Sequence, residues 1–218
     1  AFDDPVIDYA ILPTFKLAQE AKKDLKVVLT GEGGDELFAG YGRYRSSLRN
    51  FFFKKEPFHK GPFTNIKNFS TFFDNWNFEL EKKRSYISNL NLTELQKVQI
   101  LDYEEWLPND LLIKLDRSLM FHGLEGRTPL IDLKVFHDLF GVEDFRKINK
   151  GFGKFFLRQF LKEKIPAYDS FERKSGFTVP LNIWIPEMYI KFSQTLPKIR
   201  CLTALFPSKL IKDLCLSL

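Results

Sequence analysis

Residues 26–36 read Lys26-Val-Val-Leu-Thr-Gly-Glu-Gly-Gly-Asp-Glu36 and hold three elements in a row. An apolar run from Val27 to Leu29 ends in a loop with three glycines, and a helix-like segment begins at Glu36. Apolar residues at successive positions are typical of a strand in a parallel sheet covered on both faces, and we predict this strand over residues 25–29. Together with a helix predicted over residues 14–23, the stretch forms one unit of a doubly wound α/β layer. Ligands of such layers bind beyond the carboxyl ends of the strands, where this loop lies.

The loop combines glycines with the carboxylates of Glu32 and Asp35. Glycines let a ligand approach the backbone amides, and amides at the start of a helix favour an anion. A bare carboxylate 4 Å from a phosphate would repel it by about 4 kcal/mol per charge pair at an effective dielectric of 20. The loop therefore indicates either a phosphate met through a cation or an acid with a catalytic task. A turn in which Asp35 and Glu36 only complement the helix dipole is the structural alternative, and the pattern leaves it open.

Composition narrows the class of protein. The 218 residues are 44% hydrophobic and 28% charged, which is a globular balance, and their formal charge is +5. The basic residues are dispersed, so we expect no nucleic-acid partner, and the 24 phenylalanines are interpreted as packing rather than as a stacking platform for bases. Cys201 and Cys215 lack neighbours at metal spacing, which disfavours zinc and a disulfide framework and favours the cytoplasm. With no signal peptide and no apolar run of 18 residues, we expect no membrane partner.

The rest of the chain is predicted to be mainly helical. Thr14 is expected to cap the first helix, and Thr93 with Gln96 forms a capping box before another. Pro108-Asn-Asp110 is expected to end that helix, because proline lacks an N–H and crowds the preceding turn. A second amphipathic helix, a loop and two more helices follow, and residues 51–78 form a connection with weak periodicity. The apolar positions expected on the two amphipathic faces are Leu95, Val98, Leu101 and Leu107, then Leu111, Leu112, Leu115 and Leu119.

Charged groups stand out at two other places. Lys154 is predicted in the first turn of a helix, where it opposes the positive end of the dipole unless an anion is nearby. Asp116-Arg117 precedes a second charged stretch, Glu125-Gly-Arg127-Thr-Pro-Leu-Ile-Asp132. A solvated charge or a structural ion-pair network is the alternative for each, and the pattern does not choose between them.

Taken together, these segments resemble the synthetase domain of the glutamine-hydrolysing asparagine synthase family. Six blocks occur in the family's order across residues 3–186, and any one of them alone is a weak signal. The blocks are Asp3-Asp-Pro5 with Asp8 and Leu12-Pro-Thr14, Val28-Leu-Thr-Gly-Glu-Gly-Gly-Asp-Glu-Leu-Phe-Ala-Gly-Tyr41, Lys114-Leu-Asp-Arg-Ser-Leu-Met120, Gly123-Leu-Glu-Gly-Arg-Thr-Pro-Leu-Ile-Asp132, Lys154-Phe-Phe-Leu-Arg158 and Arg173-Lys-Ser-Gly-Phe177. Gly126 departs from the branched residue that is more usual in its block, and Leu130-Ile131 replaces a Phe-Leu pair.

The resemblance implies an α/β fold, namely the end of a parallel nucleotide-binding sheet of the ATP-pyrophosphatase (adenine nucleotide α-hydrolase-like) type, followed by a mainly helical half. It also implies an ATP-dependent ligase that joins aspartate and glutamine-derived ammonia through a β-aspartyl-adenylate. The implied division is a partial synthetase domain over 1–186, with an α/β part at 1–50, a variable connection at 51–92 and a helical part at 93–186, and a divergent tail at 187–218.

The resemblance also implies roles for individual residues. Glu32 and Lys154 would be catalytic. Glu32 would serve the adenylate and ammonia steps and accept a proton from the attacking amine, and Lys154 would be a cation near the α-phosphate and the departing pyrophosphate. Asp35 would help to hold Mg²⁺. The expected ATP contacts are Thr30, Gly31, Gly33 and Gly34, and the expected supporting residues are Tyr41, Glu125 and Arg127.

Two parts of the family pattern are absent from the sequence. The family's upstream Ser-Gly-Gly-x-Asp-Ser phosphate loop does not occur, and neither does the glutaminase region with its N-terminal cysteine. Because the chain also starts at Ala1 rather than at a methionine, we expect a fragment that is inactive alone. Alternatives are an amidotransferase for another carboxylate and a truncated, non-catalytic remnant. The oligomeric state stays open, a homodimer included.

Overall fold

The computed structural model describes residues 8–48, 77–172 and 179–180 and the single residues 195 and 209. The chain divides into two compact units, one of residues 1–59 and 83–177 and the other of residues 60–82 and 178–218. Several predicted features lie outside the described residues. They are the Asp3-Asp-Pro5 block, most of the 51–78 connection, the Arg173–Phe177 block, nearly all of the 187–218 tail and both cysteines.

The described residues form a mixed α/β structure that is mainly helical. Its α-helices are α1 (Ile11–Ala21), α2 (Gly34–Leu37), α3 (Tyr44–Ser47), α4 (Phe78–Ser88), α5 (Glu94–Leu101), α6 (Leu112–Phe121), α7 (Leu133–Phe140), α8 (Asp144–Lys147) and α9 (Phe155–Lys164). A π-helix (Asp102–Leu111) joins α5 to α6, a 3₁₀ turn (Pro129–Ile131) precedes α7, and the two strands are β1 (Val27–Leu29) and β2 (Glu125–Arg127). Helix α4 lies within the variable connection predicted over residues 51–92, and only its first residue belongs to the weakly periodic stretch predicted over residues 51–78.

The first helix begins earlier than predicted. Its amino end is set by Asp8, whose side chain accepts a hydrogen bond from the Ala10 N–H at 2.9 Å and whose carbonyl accepts one from the Ile11 N–H at 3.0 Å. Thr14 is not the cap, because it lies within the helix and its hydroxyl donates back to the Ala10 carbonyl at 2.8 Å. Pro13 lies in the first turn, where the missing N–H leaves no helical bond unmade.

The two strands form a parallel pair in which Val28 lies opposite Gly126. Val28 packs on an apolar cluster of Ala18, Leu115, Leu119 and Leu124 between α1 and α6. The prediction of a strand covered on both faces is wrong for the described residues, because Leu29 is 78% exposed. β2 was not predicted, since three residues with two charges carry no strand pattern. Gly126 suits this position because a Cβ there would lie 2.5 Å from Leu119 Cδ1.

Residues 94–121 form one uninterrupted helical run. The predicted capping box is present, with the Thr93 hydroxyl accepting from the Gln96 N–H at 3.2 Å and the Gln96 amide oxygen accepting from the Thr93 N–H at 3.0 Å. The predicted break at Pro108 is wrong, because the run continues as the π-helix. Its wider turn, with the Leu112 N–H donating to the Leu107 carbonyl, accommodates a residue that would crowd a normal α-helical turn.

Helix α5 buries its predicted apolar face and carries one buried amide. Leu95, Val98 and Leu101 are nearly inaccessible, as expected. Beside them, Gln99 donates to the carbonyls of Glu36 and Leu37 at 2.6 and 2.8 Å, which satisfies the carboxyl end of α2. This amide therefore fastens the glycine loop's short helix to the helical half of the fold.

Lys147 completes that arrangement from α8. Its Nζ donates to Gln99 Oε1 at 3.0 Å and to the Phe140 carbonyl at 2.7 Å, and the side chain is buried. Burial lowers the pKa of Lys147 from 10.5 to about 8, with Asp144 acting in the opposite direction. A buried ammonium is tolerated at neutral pH because two acceptors face it.

We expect this lysine to make stability rise with pH. Between pH 8 and 10.5 the unfolded lysine is protonated and the folded one is not, so the unfolded state binds more protons and the free energy of unfolding increases. The free energy of unfolding of wild type minus that of Lys147→Met should increase by about 2 kcal/mol from pH 7 to 9.5. Urea unfolding measures it, with exposed Lys134→Met as the matched control. A difference that stays flat or shrinks contradicts the prediction.

Candidate functional site

The glycine loop ends in a single helical turn rather than a long helix. Helix α2 spans only Gly34–Leu37, so the prediction of a helix from Glu36 onward is wrong. Ala39 turns the chain with φ = +56°, and the Gly40 N–H then donates to the Asp35 carbonyl at 2.8 Å. The loop thus folds back on itself and leaves the Asp35 side chain facing the residues that follow.

Lys154 reaches this loop from a distant part of the sequence. Its Nζ lies 3.1 Å from Asp35 Oδ1. The residue occupies the position just before α9 with φ = +54°, and its N–H donates to the Phe38 carbonyl at 2.9 Å. The expected approach of Lys154 to the loop is therefore present, although Lys154 precedes the first turn of α9 instead of lying within it.

Two glycines make that approach sterically feasible. A Cβ on Gly40 would overlap both Asp35 Oδ1 and Lys154 Cε. A Cβ on Gly153 would overlap the Ala39 carbonyl oxygen. The chain crossing that brings Lys154 to Asp35 is closer than any residue with a side chain would allow at these positions.

Glu32 belongs to a partly buried group of three charges, with Lys114 and Asp8, that the sequence did not reveal. Lys114 Nζ lies 2.6 Å from Asp8 Oδ2 and 3.8 Å from Glu32 Oε1. Burial raises the pKa of Glu32, Lys114 opposes that rise, and the nearby carboxylates of Asp8 and Asp35 add to it. Asp8 and Lys114 both occur in the family blocks but were assigned no role. The one sequence signal that could have identified Lys114 was its position on the apolar face of a helix.

Glu36 is buried and braced from the loop that follows it. The Tyr41 hydroxyl donates to Glu36 Oε1 at 2.6 Å. Burial raises the pKa of Glu36, and the hydrogen bond from Tyr41 acts against that rise. Arg43 lies over the Tyr41 ring at 4.7 Å and pairs with the buried Asp102 of the π-helix. Tyr41 thus contacts the loop through a carboxylate next to Asp35.

The second charged stretch does not join this cluster. Glu125 and Arg127 form a 2.7 Å pair on the exposed strand β2, with side chains 55% and 65% accessible. Asp132 caps α7 by accepting from the Lys134 N–H at 2.8 Å, and Asp116 is exposed. These placements favour structural and solvent-facing roles over a contact with the loop.

Thr30 and Gly31 line an apolar groove together with Glu32. The groove has a volume of about 380 Å³, and its other walls are Thr14 and apolar side chains of α1, β1 and α6. The Thr30 N–H donates to the Arg127 carbonyl at 2.8 Å, whereas its buried Oγ1 has no hydrogen-bond partner among the described residues. Gly33 and Gly34 pack against Ile131 and Leu130 instead.

The described residues contain no group of three or more His, Cys, Asp or Glu that would form a metal cage. Magnesium is usually held by one or two carboxylates together with substrate phosphates and water, so a single carboxylate such as Asp35 fits that ion. None of the helices in the described ranges is long and apolar enough to span a membrane.

The family profile for asparagine synthase matches residues 1–200. The chain belongs to the asparagine synthase family. A provisionally named glutamine-hydrolyzing asparagine synthetase of Mycobacterium bovis is 32% identical over 84% of this chain and 34% of its own length. Glutamine-hydrolyzing asparagine synthetase 1 of Bacillus subtilis is 29% identical over 84% of this chain and 35% of its own length. The chain thus spans about a third of these relatives, and no solved structure matches it.

We expect Gly40→Ala to disrupt the contact between Asp35 and Lys154. Forcing a methyl group into this crossing should lower the free energy of unfolding by about 1–3 kcal/mol. Gly141→Ala is the matched control, because nothing lies within 4 Å of a Cβ there and we expect a change within about 0.5 kcal/mol. Urea unfolding of the two variants makes the comparison. Equal effects at both positions would show that the crossing is not tight.

Proposed function

We propose that this chain is the carboxyl-terminal part of an ATP-dependent asparagine-forming ligase. In the proposed reaction a carboxylate oxygen of aspartate attacks the α-phosphorus of ATP. The bond to the β-phosphate oxygen breaks, and pyrophosphate leaves with the electron pair. Ammonia derived from glutamine then attacks the acyl carbon of the β-aspartyl-adenylate, AMP leaves, and asparagine forms. The proposed setting is the cytoplasm.

One observation carries this proposal. Three charged side chains lie close together at the glycine loop. Glu32 and Asp35 are three residues apart in the loop after β1, and Lys154, more than a hundred residues later, contacts Asp35 and interacts electrostatically with Glu32. An acid, a possible cation ligand and a lysine in one place are what nucleotide activation followed by amide formation requires. Family membership supports the same conclusion.

The loop backbone is the proposed contact surface for ATP. Thr30, Gly31, Gly33 and Gly34 follow the end of a parallel strand, where nucleotides bind in α/β layers. The Oγ1 of Thr30, which has no hydrogen-bond partner among the described residues, supports this role, since a buried hydroxyl is stabilised once it has a partner. We propose that the parallel pair β1–β2 belongs to a nucleotide-binding sheet. The rest of the polypeptide would have to supply the upstream phosphate loop and the glutaminase region.

Glu32 is the proposed group that serves the adenylate step and then accepts a proton from the attacking amine. The nitrogen that attacks the acyl carbon must lose a proton, and a carboxylate whose pKa is raised accepts one more readily near neutral pH. Burial provides that rise in the pKa of Glu32, and Lys114 acts against it. Asp8 fixes Lys114 in place by their 2.6 Å contact.

Lys154 is the proposed cation for the phosphates, and Asp35 would hold Mg²⁺ with them. A bound magnesium ion would neutralise charge on the triphosphate. Lys154 would stabilise the negative charge that develops on the leaving group, which is the main electrostatic contribution in such transfers. In the structure its ammonium is oriented by Asp35 at 3.1 Å.

Loss of either catalytic group should abolish most of the activation step. In the natural polypeptide that carries this chain, Glu32→Ala and Lys154→Ala should each lower ATP–pyrophosphate exchange with aspartate by about 10²–10³-fold, because each removes a group that acts on the reacting atoms. Glutamine hydrolysis should remain largely intact. Glu20→Ala and Lys162→Ala, which change exposed residues of α1 and α9, are the matched controls.

Three outcomes would count against the proposal. Unchanged exchange in either variant refutes the role assigned to that residue. Exchange that depends on a carboxylate other than aspartate, tested with a panel that includes sugar acids, favours an amidotransferase for that acceptor. Absence of any ATP-dependent exchange favours a non-catalytic remnant.

The acid limb of the pH profile of the asparagine-forming rate should depend on Lys114. Lys114 lowers the pKa of Glu32, so Lys114→Met should raise that pKa and move the acid limb of the asparagine-forming rate to higher pH. Exposed Lys16→Met is the control. Steady-state rates between pH 5.5 and 9, roughly the range of such profiles, make the measurement. An acid limb that stays in place would remove Glu32 as the titrating base.

A further inference from the structure

The carboxyl end of α2 depends on hydrogen-bond donors from outside the glycine loop. The carbonyls of residues 33–35 accept from N–H groups of residues 37–40. Among the described residues, by contrast, no backbone N–H donates to the carbonyls of Glu36 and Leu37. Both carbonyls accept from the side-chain amide of Gln99, at 2.6 and 2.8 Å. One glutamine of α5 therefore provides the hydrogen bonds that a continuing helix would have made.

The next carbonyl along the chain links this end of α2 to Lys154. The Phe38 carbonyl accepts from the Lys154 N–H at 2.9 Å, and the Lys154 ammonium lies 3.1 Å from Asp35 Oδ1. Gln99 and the Lys154 backbone thus bind three consecutive peptide carbonyls, those of residues 36–38. A shift of α2 would move these carbonyls together with the Asp35 carboxylate, because all of them belong to one helical turn and its end. The position of Asp35 against Lys154 is therefore coupled to Gln99.

Lys147 determines which way the Gln99 amide faces. A glutamine amide has two N–H donors on one branch and an acceptor oxygen on the other, whereas an ammonium only donates. Lys147 Nζ lies 3.0 Å from Gln99 Oε1 and 2.7 Å from the Phe140 carbonyl oxygen. With the amide reversed, its N–H groups would face this ammonium and its oxygen would face two carbonyls. The lysine therefore favours the orientation in which the amide donates to α2.

Packing alone does not require polar groups at these two positions. Both side chains are buried, and burying an ammonium carries a desolvation penalty. Two methionines would fill a similar volume without that penalty, and replacements of this kind are often neutral or stabilising. They would, however, leave the carbonyls of Glu36 and Leu37 without their donor. What Gln99 and Lys147 provide beyond packing is therefore a fixed position for α2.

We propose that Gln99, oriented by Lys147, is a positioning residue for adenylate formation, because it sets the place of Asp35 against Lys154. The inference rests on the proposed function, in which these two groups hold Mg²⁺ and the phosphates. Gln99 acts through α2 and not by contact with the reacting atoms. A misplacement of about 1 Å at a catalytic group can lower a rate by about 10²-fold. Loss of Gln99 should therefore lower kcat.

A double variant separates positioning from packing. In the natural polypeptide that carries this chain, Gln99→Met should lower both the free energy of unfolding and the kcat of ATP–pyrophosphate exchange with aspartate. Adding Lys147→Met removes the ammonium that has lost an acceptor, so the free energy of unfolding should recover. The kcat should stay at least about tenfold below wild type, because α2 still lacks its donor. The KM for ATP should stay within about twofold of wild type, since the proposed contacts at Thr30 and Gly31 precede α2.

Exchanging the two side chains should restore the rate. In Gln99→Lys with Lys147→Gln, the ammonium at position 99 can donate to both α2 carbonyls and to the amide oxygen at position 147. That amide can still donate to the Phe140 carbonyl. The kcat of this variant should return to within about threefold of wild type, because the donors to α2 are present again.

The exposed pair of Lys16 and Gln19 on α1 offers a matched control. Lys16 Nζ donates to Gln19 Oε1 at 2.8 Å, which is the same kind of hydrogen bond without burial or contact with α2. Gln19→Met with Lys16→Met should leave kcat unchanged. Recovery of kcat together with stability in the double methionine variant at 99 and 147 overturns the proposal. So does an exchanged variant whose kcat is as low as that of the double methionine variant.

Hydrogen–deuterium exchange separates this inference from the proposed function. Peptides covering residues 33–42 should exchange at least about tenfold faster in the double methionine variant than in wild type, because α2 is no longer held, and the exchanged variant should regain protection. This pattern, in a wild type without ATP–pyrophosphate exchange, would refute the proposed ligase and leave the positioning of α2 by Gln99 standing. Unchanged protection in every variant, in a wild type that catalyses the exchange, would refute only the role of Gln99.

Discussion

The contact between Asp35 and Lys154 organises the part of this protein that carries its charged residues. It joins the loop after β1 to the start of α9, two segments more than a hundred residues apart. The crossing exists only because Gly40 and Gly153 lack side chains where the two segments pass each other. It also orients Lys154, a positively charged group in an unusual backbone conformation with φ = +54°, which a helix start would otherwise disfavour.

Two sets of buried hydrogen bonds hold α2, the single helical turn of the glycine loop. Gln99, itself held by Lys147, satisfies the carbonyls at the carboxyl end of α2. Tyr41 donates to Glu36 within α2. A four-residue helix has little stability of its own, so these tertiary hydrogen bonds maintain its geometry. The residues that position Asp35 are therefore spread over α5, α8 and the turn after α2.

Part of the fold was predictable because its signals are local. The Thr93 and Gln96 capping box, the apolar face of α5 and the helix predicted near Lys154 each depend on residues within one or two turns of one another. Local signals also misled. Thr14 has the right side chain for a cap, but the helix begins at Ile11 after a turn that Asp8 stabilises, and Pro108 lies within a π-helix whose wider turn accommodates it.

The sequence by itself provided the family resemblance, the order of the family blocks and the residue types available for chemistry, because all three can be read directly from the order of the residues. Only the tertiary structure decided which of them meet. It brought Lys154 to Asp35 and Lys114 to Glu32, left Glu125 and Arg127 on an exposed strand, and placed Gln99 and Lys147 at the carboxyl end of α2. The physical reason is that such meetings depend on chain crossings and on buried polar partners far apart in the sequence, which no local pattern encodes.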